Sequence, residues 1–222
     1  MSRRVLVTGG SRGIGRAIVE TYRSRGFHVD APSRSVLDLS SDQSILNYIA
    51  ISDPPDILIN NAAINVFAKT TLQTIENIQL HFTINVLGAY RLCEWAMPSM
   101  ADSGWGRVVN VSSVLARVHR PYRLAYAMSK AALEAMTRGL AVEMAHRGVL
   151  ANCVSPGFVL TDLTTVNNSP TQIAEIAQRV PAARLAWPQD VASTVYFLGS
   201  GDNEYISGQV LTVDGGLLSV LG

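Results

Sequence analysis

A tyrosine and a lysine lie four positions apart at Tyr126 and Lys130, in a stretch whose apolar residues recur at helical spacing. Residues four apart on a helix share one face, so the phenol and the ammonium group are neighbours. A phenol has an unperturbed pKa of about 10, and a nearby positive charge favours the phenolate and lowers that pKa. The pair therefore predicts proton exchange with an alkoxide, as hydride transfer to a carbonyl requires. An ordinary solvated pair is the alternative.

Three glycines follow a short apolar run, Val5–Val7, with the spacing Thr-Gly-x-x-x-Gly-x-Gly from Thr8 to Gly15. A helical stretch begins directly after them, at Arg16. Glycine is needed where a strand-to-helix turn requires backbone angles that a side chain forbids, and where a diphosphate approaches bare amides at a helix N-terminus. In this context the glycines predict a dinucleotide site. Glycines that end a strand for structural reasons are the alternative.

Further motifs follow in order, and together they resemble those of the short-chain dehydrogenase/reductase family over essentially the whole chain. The most similar type is the 3-oxoacyl-carrier-protein reductase, a label that covers many substrates. The resemblance implies an NADP-dependent oxidoreductase that interconverts a carbonyl and a secondary alcohol of a small molecule. The motifs after the glycine loop are Asn60-Asn61-Ala62-Ala63, Asn85, Ser112-Ser113, Tyr126 with Lys130, Ser155-Pro156-Gly157 and the tail from Ile206 to Gly216.

The resemblance implies four catalytic residues, Asn85, Ser113, Tyr126 and Lys130. Ser113 lies 13 residues before Tyr126, and the matching serine orients the substrate oxygen by a hydrogen bond. Ser112, which could instead cap the strand end, is the alternative. In the family, the lysine also binds the nicotinamide ribose, and the matching asparagine distorts its helix and holds a water that links the lysine to solvent.

The resemblance also implies the cofactor-binding residues. Ala63 stands where relatives usually have glycine, a mild departure that affects how closely the backbone packs against the ribose. Pro156, Gly157 and Thr161 resemble the segment that contacts the nicotinamide carboxamide. The full set is Gly9, Ser11, Arg12, Gly13, Ile14, Gly15, Ser33, Arg34, Asp38, Leu39, Asn61, Ala62, Tyr126, Lys130, Pro156, Gly157 and Thr161.

Selectivity between NAD and NADP depends on the end of the second strand, where an acidic residue binds the ribose hydroxyls and repels a 2′-phosphate. The matching position is Ser33, followed by Arg34, and Arg12 points toward the same phosphate in NADP-preferring relatives. A hydroxyl and two guanidinium groups favour the 2′-phosphate of NADP(H) over NAD(H). Asp30, three residues earlier, is the rival interpretation.

The segment after the second strand is shorter than in relatives. Family members place a helix before the third strand, whereas here the expected third strand, Ser35–Leu39, follows at once. Asp38 matches the aspartate that contacts the adenine. We therefore expect a retained adenine site that lacks its covering helix and is more open than usual.

The segment between Ser113 and Tyr126 borders the substrate pocket in the family. It holds Arg117, Arg120 and Arg123 together with a histidine, His119, which favours a carboxylate, a phosphate or an acidic carrier protein as part of the substrate. A solvated loop or a subunit contact is the alternative. Residues 158–187 match the variable substrate lid, and their composition identifies no substrate.

The elements that must position these residues are short apolar runs that alternate with helical stretches. This pattern predicts one α/β domain over residues 1–222, a Rossmann-type doubly wound parallel sheet shortened between strands 2 and 3. Thr161–Thr171 is predicted to be a long loop. The runs are Val5–Val7, Ile57–Ile59, Val108–Val111, Leu150–Val154 and Val210–Val213, and the helical stretches are 13–25, 75–101, 126–147 and 188–199.

The composition excludes several classes of protein. The chain has 222 residues, 48% hydrophobic and 16% charged, which suffices for a core and excludes overall disorder. A net charge of +1 argues against nucleic acid and anionic membranes as partners. No apolar run is long enough for a spanning helix or a signal peptide. Cys93 and Cys153 are expected to be reduced core residues, with no disulfide and no metal site, as in a cytoplasmic protein.

Two further expectations concern assembly and the alternatives to an oxidoreductase. Apolar faces at 87–97 and 132–144 predict subunit contacts, and the resemblance implies a homotetramer or dimer. Among enzymes, an epimerase or dehydratase that recycles bound cofactor is the alternative. Outside enzymes, the alternative is a nicotinamide-sensing or scaffold protein of the same fold.

Overall fold

The computed structural model describes residues 3–220, apart from the side chains of Leu163 and Asn167. Its centre is a single sheet of six strands in the order β2-β1-β3-β4-β5-β6, and every pairing is parallel. The predicted Rossmann-type sheet is therefore confirmed. The strands are β1 (Arg4–Val7), β2 (His28–Asp30), β3 (Ile57–Asn60), β4 (Gly106–Val111), β5 (Val149–Pro156) and β6 (Val210–Val213).

Helices cover both faces of this sheet. Buried residues of α1 and α8 form one apolar cluster with the sheet, and buried residues of α2 and α4 form a second cluster on the other face. No helix in residues 3–220 is long and apolar enough to cross a membrane. The helices are α1 (Gly13–Arg23), α2 (Asp42–Ile51), α3 (Ile75–Phe82), α4 (Gly88–Asp102), α5 (Leu124–Met144), α6 (Asp162–Asn167), α7 (Pro170–Gln178) and α8 (Pro188–Gly199).

The strands are buried on both faces, which is why they appear in the sequence as continuous apolar runs. In β1, Val5 and Val7 belong to the cluster with α1 and α8, while Leu6 belongs to the cluster with α4. Successive side chains of a strand point to opposite faces, so each short run serves both layers. Burial on both faces holds the ends of the strands in place. The polar residues of the site lie at those ends.

The predicted third strand is wrong, because Ser35–Leu39 forms a turn and coil. The amides of Val36 and Leu37 donate to the Ser33 carbonyl, which turns the chain away from the sheet. A parallel neighbour of β2 would need a crossover of about a dozen residues, and five residues separate Asp30 from Val36. Leu39 is still buried against α4, where a Cβ at Gly88 would lie 2.9 Å from the Leu39 Cβ.

Three other differences from the sequence expectations are local. The helix α2 was not predicted; its N-terminus is capped by Ser41, whose side chain accepts from the Ser44 amide. The predicted loop at Thr161–Thr171 holds α6 and the start of α7, which Ser169 and Gln172 cap reciprocally. The helical stretch 75–101 is interrupted by a π-helical turn at Thr83–Leu87.

Candidate active site

The glycine turn joins β1 to α1 at the carboxyl end of the sheet. Gly9 has φ +67°, and a Cβ at Gly15 would collide with the Gly9 carbonyl oxygen, so both positions need glycine. Arg12 precedes α1 and makes no side-chain cap hydrogen bond, and no acidic residue lies in the first turn. The N-terminus of α1 thus presents amide groups that no side chain caps, which fits the binding of a diphosphate.

Thr8 and Asn61 join the glycine turn to the end of β3. The Thr8 hydroxyl accepts hydrogen bonds from the amides of Asn61 and Ala62, both at 3.0 Å. The Asn61 side chain donates to the carbonyls of Thr8 at 2.9 Å and Gly9 at 3.2 Å. Thr8 is almost fully buried; the sequence motif begins with it, but it was not among the expected cofactor-binding residues.

A cavity of about 440 Å³ extends from the glycine turn across the switch point between β1 and β3. Ligands of open α/β sheets bind at such a point. Four residues of the expected cofactor set, Tyr126, Lys130, Pro156 and Gly157, do not line this cavity. The other members of the set line it: Gly9, Ser11, Arg12, Gly13, Ile14, Gly15, Ser33, Arg34, Asp38, Leu39, Asn61, Ala62 and Thr161.

One end of the cavity is formed by the turn after β2. The Arg34 guanidinium contacts the Asp38 carboxylate at 3.1 Å, and Ser40 donates to the other Asp38 oxygen with its amide at 2.9 Å and its hydroxyl at 2.7 Å. The Ser40 hydroxyl, then the Ser40 amide and Arg34, hold the pKa of Asp38 below its usual value. The Arg34 side chain is 76% exposed, so its charge is also accessible to a ligand.

Tyr126 lies in the first turn of α5, half-buried, with its hydroxyl hydrogen-bonded to Ser113. Burial raises the pKa of the Tyr126 phenol, while the Ser113 hydrogen bond and the charge of Arg123 act in the opposite direction. The neighbouring Ser112 is buried and donates to the Glu134 carboxylate at 2.8 Å. Of the two serines considered from the sequence, Ser113 is therefore the one that faces the phenol.

Lys130 lies on the same face of α5, with its ammonium nitrogen 5.7 Å from the centre of the Tyr126 ring. It donates to the Val111 carbonyl at 2.7 Å, and burial lowers its pKa to about 8. The sequence predicted that Lys130 lowers the Tyr126 pKa. In this structure the phenol pKa is instead raised by burial, and Arg123 supplies the positive charge that opposes the increase.

Asn85 occupies the π-helical turn between α3 and α4 and is buried. Its amide holds the backbone of Ile64 from both sides, accepting from the Ile64 nitrogen at 2.9 Å and donating to the Ile64 carbonyl at 3.1 Å. It also donates to the Ser129 hydroxyl at 2.9 Å, and Ser129 donates to the Tyr126 carbonyl at 2.7 Å. A π-turn commonly marks a functional site, and here it aims Asn85 at α5.

Residues 64–68 form a strap that is held at every second amide. The Val66 amide donates to Nε2 of the buried His81 at 3.1 Å, and the Ala68 amide donates to the Tyr122 carbonyl at 3.3 Å. Because Nδ1 of His81 lies 2.8 Å from the Asn77 carbonyl, Nδ1 carries the proton and Nε2 accepts. Sequence analysis did not identify this role, since a single histidine on a helix is usually structural.

The arginine-rich loop packs its side chains on two aromatic rings and one acid. The Arg123 guanidinium lies 2.9 Å from the centre of the Phe67 ring, and Arg120 lies 5.2 Å from the centre of the Phe158 ring. Arg117 approaches the buried Glu134 at 4.0 Å. Arg123 thus joins the strap to the start of α5, beside the phenol.

The segment after β5 contacts both β6 and the glycine turn. The Gly157 amide donates to the Val213 carbonyl at 2.9 Å, and Thr161 approaches the glycine turn, where a Cβ at Gly13 would lie 3.3 Å from the Thr161 methyl group. A parallel bridge between Val159 and Ala186 closes the base of the expected lid. Both lid helices therefore project from a fixed base.

Comparisons with known proteins agree with this geometry. A family profile described as enoyl-(acyl carrier protein) reductase matches residues 36–218. The 3-oxoacyl-[acyl-carrier-protein] reductase FabG of Salmonella typhimurium is 36% identical, with 97% of each chain covered. The ligand-free aldohexose dehydrogenase of Thermoplasma acidophilum superposes with a TM-score of 0.92 at 30% identity, covering 99% of this chain and 95% of that one. The structure of ElxO with NADP bound superposes with a TM-score of 0.90 at 28% identity, covering 99% of this chain and all of the other.

Proposed function

This chain belongs to the short-chain dehydrogenase/reductase family, NAD(P)-dependent enzymes that act on CH–OH and carbonyl groups, and on that premise we propose its reaction and the roles of its residues. The protein is an NADP(H)-dependent oxidoreductase that interconverts a carbonyl and a secondary alcohol, with Tyr126 as general acid and base. The observation that carries the proposal is the hydrogen bond between Ser113 and Tyr126 on the face of α5 that also holds Lys130.

The cofactor site is assigned to the cavity at the glycine turn. The amides of the α1 N-terminus and the bare surfaces of Gly9 and Gly15 hold the diphosphate, and Thr161 closes the nicotinamide side. When bound, the nicotinamide supplies or accepts the hydride. Arg12, Ser33 and Arg34 line the adenine end and give the preference for the 2′-phosphate, supported by the NADP-bound relative.

Proton transfer is assigned to Tyr126, whose raised pKa keeps the phenol protonated at neutral pH and therefore competent to protonate an alkoxide. Ser113 donates to the same oxygen and orients the carbonyl. Lys130, with its pKa lowered to about 8, exchanges protons close to neutral pH and resupplies the phenol. Asn85 acts as a positioning residue, because its amide groups hold Ile64 and Ser129.

Two structural assignments belong to the same proposal. Residues 158–187 form the variable substrate lid of a single domain, supported by the bridge at its base. The protein forms a homotetramer or dimer, supported by exposed apolar side chains on the two expected contact faces, among them Leu87, Tyr90 and Val142. Light scattering tests the assembly, and a monomer mass would contradict it.

The first test measures NADPH consumption by the purified protein with a panel of carbonyl compounds that includes a 3-oxoacyl thioester, and NADP+ reduction with an aldose; both substrate types are named for its relatives. Tyr126→Phe should reduce kcat by about a thousandfold or more while NADPH binding, followed by fluorescence, stays within twofold. Tyr205→Phe is a matched control on an exposed tyrosine. Turnover that survives Tyr126→Phe would contradict the assignment of the general acid.

A further inference from the structure

Two segments close to Tyr126 contain no acidic residue. They are the strap at residues 64–68 and the loop at residues 117–123. No Asp or Glu occurs between residues 57 and 75 or between residues 103 and 133, whereas both stretches contribute cations. The two stretches therefore carry positive charge and no negative charge, although the net charge of the chain is close to zero.

Arg123 and Arg120 lie against aromatic rings and not against carboxylates. Arg123 lies on Phe67 and Arg120 on Phe158, at 2.9 and 5.2 Å from the ring centres. Within the described residues, neither has a carboxylate at ion-pair distance, whereas Arg117 has Glu134 at 4.0 Å. Stacking holds the plane of a guanidinium and leaves its edge N–H groups for a second partner.

Burial makes the positive charge of Arg123 unfavourable. Burial lowers its pKa to about 10, and the nearby charge of Arg120 acts in the same direction. A partly buried cation without an acidic partner is unfavourable, and an anion that binds to it recovers that free energy through charge-assisted hydrogen bonds.

The position of Arg123 relates this cation to the reacting atoms. Arg123 immediately precedes α5, and Tyr126 is the third residue of that helix. The Arg123 charge lowers the pKa of the Tyr126 phenol, and the phenol raises that of Arg123, so the two groups lie within electrostatic reach of each other. An anion on the Arg123 guanidinium would therefore lie near the carbonyl that Tyr126 protonates.

We propose that the substrate carries a carboxylate or phosphate close to its carbonyl, and that Arg123 binds this anion with Arg120 on its outer side. The inference rests on the proposed function, since it names the substrate class of the same site. An acyl group whose only charge is on a distant carrier would not place an anion at Arg123. Such a substrate is one outcome of the test and would overturn the proposal.

The test uses three pairs of carbonyl compounds that differ in an anionic group. They are 2-oxobutanoate and its methyl ester, 3-oxobutanoate and its methyl ester, and dihydroxyacetone phosphate and dihydroxyacetone. For at least one pair, kcat/KM with NADPH should favour the anion by about tenfold or more. Arg123→Gln should remove that preference through KM of the anion, and Arg123→Lys should restore part of it.

Arg25 provides a matched control. It precedes β2, at the end of the sheet opposite the site, and its guanidinium lies 4.3 Å from the centre of the Tyr196 ring. Arg25→Gln removes a stacked guanidinium of the same kind and should leave the ratio unchanged. Equal rates within every pair, a preference that survives Arg123→Gln, or turnover of carrier-type thioesters alone would overturn the proposal. Tyr126-dependent reduction of neutral carbonyls would then still support the proposed function, whereas no NADPH consumption with any carbonyl would overturn both.

Discussion

Single residues around Tyr126 shift the pKa of its phenol in opposite directions. Burial raises its pKa, whereas Ser113 and Arg123 oppose that increase. Lys130, one helical turn away, is more deeply buried and has its own pKa lowered to about 8. The pair was identifiable from its spacing, but the direction of each shift was not, because burial depends on packing from β4 and β5 that a four-residue spacing does not contain.

The buried Lys130 makes a prediction about stability at alkaline pH. Its folded pKa is about 8 against 10.5 in the unfolded chain, so between these values the unfolded state binds more protons at this residue. Its contribution to the free energy of unfolding therefore rises with pH from 8 to about 10.5. Urea titrations at pH 7.5 and 9.5 measure the free energy of unfolding of wild type and of Lys130→Met. The stability of wild type relative to the variant should be greater at the higher pH.

The control for this experiment is Lys69→Met, which changes the only other lysine, an exposed one. Its difference from wild type should stay constant over the same pH range. A constant difference for Lys130→Met as well would contradict the lowered pKa.

His81 makes a second prediction at this scale. His81→Phe removes the acceptor of the buried Val66 amide and should lower the free energy of unfolding by about 1–3 kcal/mol. Because the strap contacts Arg123 at the start of α5 and Asn61 holds the glycine turn separately, KM for the carbonyl should rise while the dissociation constant of NADPH stays within twofold. His146→Phe, at an exposed histidine, is the control; an equal loss of NADPH affinity in His81→Phe would contradict the assignment to the strap.

At the scale of elements, the sequence predicted the sheet and its major helices from short apolar runs and helical periodicity. It failed between β2 and α2, where Leu37 and Leu39 alternate with polar or exposed neighbours as in a strand. Both leucines are buried as such a pattern requires, but the connection is too short to lay the segment beside β2. Alternation predicts which side chains are buried, and only the crossover length decides whether a strand forms.

Two glycines in helices provide a paired prediction. Gly139 is exposed within α5, and a Cβ there would meet nothing within 4 Å, so Gly139→Ala should raise the free energy of unfolding by about 0.5–1 kcal/mol. Gly15→Ala collides with the Gly9 carbonyl and should abolish NADPH binding. Urea unfolding and cofactor fluorescence measure the two effects. If Gly139→Ala instead lowered the free energy of unfolding, this would show that other atoms occupy the space beside α5 in solution.

At the scale of the whole molecule, cofactor binding should stabilise the folded state. Free NADPH at a hundred times its dissociation constant adds about 2.7 kcal/mol, which for a chain of this length raises Tm by roughly 5–10 °C. Arg34→Gln removes a cation from the adenine end and should reduce the shift with NADPH but not that with NADH. Thermal unfolding with each cofactor measures both, and equal losses would contradict the assignment of Arg34 to the 2′-phosphate.

Within residues 3–220 no strand pairs with the outer side of β2, and this also affects contacts between molecules. An unpaired sheet edge is a template on which another chain can add a strand, the usual start of edge-to-edge aggregation. Here the edge strand is three residues long, His28–Asp30, and Pro32, which has no amide proton, follows two positions later. The edge therefore offers too few hydrogen-bonding groups to recruit a second chain. A turn in place of a third strand therefore leaves an edge that protects the sheet against strand addition.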